Sequence, residues 1–261
     1  QTPGSDSNRP AAEDIDDIRR AGAGFDPERT VQDSARSGEP IDVGKRFVLQ
    51  GELGSGGSGR VVRAYDRLLG RTIAMKILHK HTSAAPDSVS RFIAEARATG
   101  QLEHPNIVPI YDFGVLPGGD AFYTMREVQG DSLRKVLTKL EDGEAEYRTE
   151  YTLVRLLNIL IQVSQAVNYA HVRSVIHRDL KPDNIMLGDY GEVLVMDWGL
   201  AQVLDSETDL ADGSDPSSSG QTLGTPSYMP PEQARGDLEQ VDETSDIYSL
   251  GAILYEILTL Q

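Results

Sequence analysis

Between Asp179 and Asn184 the chain packs a carboxylate, an ammonium group (Lys181) and an amide into six residues, Asp179-Leu180-Lys181-Pro182-Asp183-Asn184. Groups of these kinds held close together serve proton transfer, charge neutralisation and the holding of a hard metal ion. A second candidate is Lys76, alone in the middle of the apolar run Thr72-Ile73-Ala74-Met75-Lys76-Ile77-Leu78. An ammonium buried in such a strand is costly without a counter-charge, so it either lies on a solvent face or meets a carboxylate from elsewhere. Downstream stand two carboxylates, Glu95 and Glu103. Both belong to a helical pattern over Ser88–Leu102 or its end, where Phe92, Ala96, Thr99 and Leu102 recur at steps of three and four. A third candidate is Gly54-Ser55-Gly56-Gly57-Ser58-Gly59. Dinucleotide-binding folds carry the same glycine spacing but need a helix directly after it. Here the β-branched, alternating Arg60-Val61-Val62-Arg63-Ala64-Tyr65 follows, which predicts a hairpin whose backbone can lie over nucleotide phosphates.

These groups need elements to position them. Arg46–Leu53, Arg60–Tyr65, Thr72–Leu78, Ile107–Phe113 and Ala121–Arg126 read as strands, with a turn at Pro117-Gly118-Gly119-Asp120. Ser132 caps a helix carrying the stripe Leu133, Val136, Leu137 and Leu140, and Glu141 to Glu150 reads as a charged loop. Thr152–Val172 is a long helix, apolar over much of its circumference, that delivers the chain to His177-Arg178-Asp179. Two short strands, Ile185–Leu187 and Val193–Met196, then lead to Asp197-Trp198-Gly199.

The bulk numbers exclude several classes. The chain has 261 residues, 39% apolar, enough for one large domain or two small lobes. With no cysteine it has no disulfide, thiolate zinc site or cysteine nucleophile. A formal charge of −16 argues against nucleic acid as a partner. No run of about 18 uncharged apolar residues suggests a membrane span in the chain. Gln1 to Val43 has no sustained apolar period and is read as a disordered acidic tail, with a marginal helix at Asp14–Arg20. The chain begins on Gln1 and stops inside the helical pattern Ile253–Gln261, so a fragment or processed product is expected, with the C-terminal side cut.

In this order the motifs resemble those of eukaryotic-like serine/threonine protein kinases of bacterial type, over roughly residues 44 to 261. The resemblance implies an α+β bilobal fold: residues 44–126 as an N-lobe with an antiparallel five-stranded sheet and one helix, and 127–261 as a mainly helical, incomplete C-lobe. It implies ATP and Mg²⁺. Gly54, Gly56, Gly59, Val61, Ala74, Lys76, Met125, Glu127 and Val128 would surround the nucleotide, Met125 as gatekeeper with Arg126–Val128 as hinge. Lys76 would bind the α- and β-phosphates and be fixed by Glu95 in preference to Glu103. Asp179 would take the hydroxyl proton, Lys181 would steady the transferring group, and Asn184 and Asp197 would hold the metal.

Further expectations follow from the same resemblance. Asp246 would hold the catalytic-loop backbone, and Glu232 would pair with an arginine beyond Gln261. Thr222 would be the activation-loop phosphosite, with Ser217, Ser218 and Ser219 as rivals, and Thr225 would touch Asp179 and Lys181. Trp198 stands where the family has Phe, and Pro230 where it has Ala. The substrates would be proteins with Ser or Thr, modified after autophosphorylation in trans between paired copies. Thr30-Val31-Gln32-Asp33 resembles sites read by phosphothreonine-binding domains. The expected location is cytoplasmic, with any membrane anchor outside this segment. The alternatives are an ATP-binding pseudokinase scaffold and, more weakly, a small-molecule kinase.

Overall fold

Phe47 begins the first strand of the computed structural model, which describes residues 25–37, 41–56, 59–78, 86–198, 202–203 and 226–261. The expected activation-loop residues Ser217–Ser219, Thr222 and Thr225, Gly199, and the helix at 14–20 lie outside them. Strands β1 (Phe47–Ser55), β2 (Gly59–Asp66), β3 (Arg71–Leu78), β4 (Ile110–Val115) and β5 (Ala121–Met125) form one antiparallel five-stranded sheet in the order β1-β2-β3-β5-β4. This is the arrangement expected for residues 44–126, with β4 starting three residues later than its apolar pattern suggested.

Strand alternation explains where Lys76 points. On one face of the sheet Phe47, Val62, Ala64, Ile73, Met75, Ile77 and Phe122 form a closed apolar cluster. On the other, Ala74, Leu78, Tyr123 and Met125 pack against Phe92 and Ala96 of the helix α3 (Pro86–Gly100). Lys76 shares a face with Ala74 and Leu78, because successive side chains on a strand point to opposite sides. The same period that buries β3 therefore aims its one ammonium at α3.

The remaining chain is built on a second apolar core. Helices α4 (Leu133–Glu141), α6 (Leu153–His171) and α8 (Glu243–Thr259) pack with β7 (Val175–Ile176), β8 (Ile185–Gly188) and β9 (Val193–Val195). In α6 the buried residues are Leu156, Ile159, Val163, Ala166, Val167 and Ala170. The stripe is narrower than its composition suggested, and Leu153 and Ile161 face outward. Asn106 ties the two parts together: its Nδ2 donates to the Val193 carbonyl (2.9 Å) and to Gln162 Oε1 (3.1 Å). Val195 N donates to the Asn106 carbonyl at 2.8 Å.

Two stretches read as irregular are helical. The helix α1 (Pro27–Ser37) lies inside the stretch expected to be disordered, although it buries no residue. Its support is local. Asp26 accepts from the Arg29 amide at 3.1 Å, Pro27 stands at the start, and Arg29 and Asp33 face each other one turn apart at 3.6 Å. A short helix α2 (Val43–Arg46), capped by Asp42, leads into β1. Within the expected charged loop, α5 (Ala145–Glu150) forms because Tyr147 reaches back to Asp131 (2.6 Å) and Lys139 to Glu144 (2.6 Å).

The strand β6 (Gly130–Ser132) pairs antiparallel with β8 and carries the chain from the sheet to α4, whose N-cap is Ser132. Gly130 has φ +141, and a Cβ there would lie 2.0 Å from the Leu187 carbonyl oxygen. Only glycine fits such a backbone. Gly130→Ala is expected to cost about 2–3 kcal/mol in stability, seen as a lower urea midpoint at unchanged m-value. An unshifted midpoint would mean that β6 does not pair with β8 in this way.

Candidate active site

Asp179 is reached through the apolar strand β7 and held by the side chains of its neighbours. The ammonium of Lys181 lies 2.7 Å from Asp179 Oδ2. Asn184 Nδ2 donates to the Asp179 carbonyl at 2.8 Å and to Oδ2 at 3.3 Å. A 3₁₀ turn, Pro182–Asn184, brings Asn184 round to face Asp179. The Asp179 amide donates to His177 Nδ1 at 3.3 Å. That leaves Nε2 to carry the ring hydrogen, which the Met196 carbonyl accepts at 3.0 Å.

This loop is anchored from α8. Asp246, fully buried, accepts from the backbone amides of His177 (Oδ2, 2.9 Å) and Arg178 (Oδ1, 2.9 Å), and lies 2.8 Å from His171 Nε2 of α6. Burial pushes the Asp246 carboxyl up, but the bonds it makes with His171 and with the His177 and Arg178 amides outweigh it, and the net shift is downward. The anchoring role expected for Asp246 is therefore visible as two bonds. Arg178 needs them, since its φ of +66 is a left-handed conformation that side chains rarely adopt. Gln233 adds a third hold, donating from Nε2 to the Arg178 carbonyl at 3.0 Å.

Lys76 stands between two carboxylates, 2.6 Å from Glu95 Oε1 and 2.5 Å from Asp197 Oδ1. Glu95, not Glu103, is thus the partner. Burial pulls the Lys76 ammonium down, but Asp197 and Glu95 together outweigh it and hold it above its ordinary value. For Glu95 burial dominates and raises the carboxyl despite Lys76; for Asp197 the pull of Lys76 wins and lowers it. Asp197, at φ +62, keeps a half-exposed side chain, while Trp198 beside it is fully buried with its ring 4.6 Å from that of His177. Trp198 Nε1 has no hydrogen-bond partner among the described residues.

Several of the other expected nucleotide residues are neighbours on the sheet that carries Lys76. Ala74 and Met125 are register partners on β3 and β5, and Val61 is the partner of Lys76 on β2. The Glu127 carboxylate is bound by Arg63 at 2.6 Å, so this side chain is already engaged within the protein. Gly54, Gly56 and Gly59 do not use positive φ. At Gly54 and Gly56 a Cβ would meet open space, whereas at Gly59 it would lie 2.4 Å from the Ile77 carbonyl oxygen. The steric need for glycine in the hairpin therefore sits at Gly59, where β2 crosses β3.

The family model for the protein kinase domain matches residues 47–261, the span that carries every one of these groups. The chain belongs to the protein kinase domain family. Among curated relatives it is 39% identical over 245 residues to the serine/threonine-protein kinase PknD of Protochlamydia amoebophila, covering 88% of this chain and 24% of that protein. It is 40% identical over 214 residues to the DNA damage-responsive serine/threonine-protein kinase RqkA of Deinococcus radiodurans, covering 81% of this chain and 29% of that protein. To the serine/threonine-protein kinase pkn3 of Myxococcus xanthus it is 38% identical over 225 residues, covering 83% of this chain and 38% of that protein. The chain thus spans well under half the length of these relatives.

Several residues of this kinase domain that sequence reasoning did not single out complete the site. Tyr123, 4% exposed, donates from its hydroxyl to Glu95 Oε1 at 2.6 Å. Ser245 donates to Glu232 at 2.6 Å, so within the described residues the carboxylate expected to meet an arginine meets a hydroxyl of α8. Arg134 and Tyr228 both bond to Glu256, and to each other, joining α4, the segment Pro226–Tyr228 and α8. The Tyr228 hydroxyl is pushed up to about 12 by burial and Glu256. None of these had a local signal, since each partner is at least 13 residues away in the chain.

Proposed function

We propose that this domain transfers the γ-phosphoryl group of ATP to serine or threonine hydroxyls of proteins. The observation that carries the reading is the joint geometry of Lys76, Glu95 and Asp197 on one side and Asp179, Lys181 and Asn184 on the other. Lys76 draws the α- and β-phosphates to the cleft, and Glu95 keeps it there. Asp179 accepts the proton of the attacking hydroxyl, and Lys181, beside it, offsets the charge on the group in transit.

The residues fit a magnesium ion. With Asn184 Nδ2 engaged by Asp179, the amide oxygen is left for a cation, and Asp197 keeps an oxygen beyond the one at Lys76. Two protein oxygens, with phosphate and water for the rest, suit this ion. When bound it neutralises and orients the phosphates. The matched relatives carry the name serine/threonine-protein kinase, which favours a protein hydroxyl over a small molecule as acceptor.

The scaffold alternative, raised by Trp198 and Pro230, draws no support from this geometry, in which the transfer groups are assembled. Phosphorylation in trans between two copies belongs to the same proposal, as does Thr30 as a phosphothreonine mark. The Thr30 hydroxyl donates to the Asp26 carbonyl in α1 at 2.6 Å, so a reader domain would have to open that turn. No helix among the described residues is long and apolar enough to cross a membrane. A cytoplasmic place for the domain is part of the proposal.

Incubation with γ-labelled ATP and magnesium is expected to put phosphate on the chain's own Ser or Thr residues, mapped by mass spectrometry, or on a general protein acceptor. Nucleotide binding without any transferred label to either would overturn the reading in favour of a scaffold.

A further inference from the structure

Lys76 faces a choice between two carboxylates at nearly equal distance, Glu95 at 2.6 Å and Asp197 at 2.5 Å. They differ in surroundings. Glu95 is 4% exposed, while the Asp197 side chain is half open to solvent. A buried carboxylate with one counter-charge is poorly compensated, and removing a further donor makes it costlier still. Glu95 has such a donor in the Tyr123 hydroxyl, bound at 2.6 Å to the same oxygen, Oε1, that Lys76 uses.

The setting of Tyr123 is rigid. Its backbone pairs with that of Lys76 across β3 and β5. Its ring lies 5.1 Å from the ring of Phe92, one turn before Glu95 on α3. The Lys76 ammonium sits 5.8 Å from the centre of the same ring. One side chain of the sheet thus touches the helix, the carboxylate and the ammonium together.

We propose that Tyr123 is a positioning residue for phosphoryl transfer, its hydroxyl holding Glu95 so that Lys76 stays shared between Glu95 and Asp197. Without that bond Glu95 is freed to leave the ammonium, and Lys76 collapses onto Asp197. There it is withdrawn from the phosphates and lies against a carboxylate that would hold the magnesium ion. The effect of Tyr123 runs through Glu95 alone, so it vanishes when Glu95 is absent. The inference rests on the kinase reading above.

The test uses the whole chain and the variants Tyr123→Phe, Glu95→Ala and Tyr123→Phe/Glu95→Ala, assayed below the melting temperature of each as fixed by circular dichroism. Tyr123→Phe removes one oxygen and keeps the ring. It is expected to lower kcat/KM for ATP about tenfold, through a hydrogen bond to a charged group, with KM for a protein acceptor within about twofold. In calorimetric titrations with magnesium ATP, Tyr123→Phe is expected to weaken binding in the wild-type background and to change nothing further beside Glu95→Ala. Additive losses in the double variant, or equal losses toward both substrates, would make the role of Tyr123 merely structural and overturn the proposal. An active wild type with an unaffected Tyr123→Phe overturns the role of the hydroxyl only; a wild type that transfers no phosphate overturns both readings.

Discussion

Asp179→Asn is expected to lower kcat by about 10³-fold while the protein keeps its fold and its affinity for ATP. The amide oxygen of Asn can still accept from Lys181 and Asn184, which bind Asp179 at 2.7 and 3.3 Å, so the loop geometry survives. What is lost is the basic oxygen that takes the hydroxyl proton and draws that hydroxyl into line. The Asp179–Lys181 pair is partly open to solvent, and such pairs contribute at most about 1 kcal/mol to stability, so the melting temperature should hardly move. Rates of transfer from labelled ATP, with calorimetric nucleotide binding in parallel, check both halves. A loss smaller than about tenfold would mean that the proton leaves by another route and that Asp179 only orients. Weakened ATP binding would place Asp179 on the nucleotide side of the cleft.

Most of this centre could be read from the chain because it is made of short motifs whose spacing carries geometry. Asp179 and Asn184 are five residues apart, and a single 3₁₀ turn closes that distance. Lys76 in an apolar strand called for a solvent face or a counter-charge, one helical pattern offered Glu95 and Glu103, and the family resemblance preferred Glu95. The residues that escaped notice are those whose partner is remote and whose type looks ordinary where it stands. Tyr123 in β5 has the apolar neighbours of any core tyrosine, and only the packing of α3 on the sheet turns its hydroxyl toward Glu95. Ser245 reads as a polar residue in the first turn of a helix until Glu232 comes to face it. The two unexpected helices fail for a different reason. The apolar period signals burial, and α1 buries nothing and stands on a capping aspartate and an i,i+4 pair. At Gly54 and Gly56 the glycine pattern was read rightly as a hairpin, yet the conformational freedom invoked for it is not used there.

Asp246→Asn should have the largest effect on stability, because it strikes the point where α8 holds the catalytic loop. Each Asp246 oxygen accepts one backbone amide, from His177 and from Arg178, in a fully buried site. An Asn has one acceptor oxygen and one NH₂ group, so one backbone N–H is left facing a donor. Leaving a buried group unsatisfied, and removing a charge that two amides and His171 compensate, is expected to cost about 3–4 kcal/mol, against about 5–15 kcal/mol for a whole domain. Arg178 at φ +66 would relax, carrying Asp179 with it, so kcat should fall by about 10²-fold even at temperatures where the variant is folded. The pH dependence gives an independent check. The folded-state pKa of Asp246 is depressed, so its contribution is present above the ordinary carboxyl value and is lost as pH falls through the folded value. The difference in urea midpoint between wild type and Asp246→Asn should therefore be wide at neutral pH and close below about pH 4. A difference that stays constant into that range would mean that the carboxylate charge is not what holds the loop, and that the two amides are satisfied by shape alone.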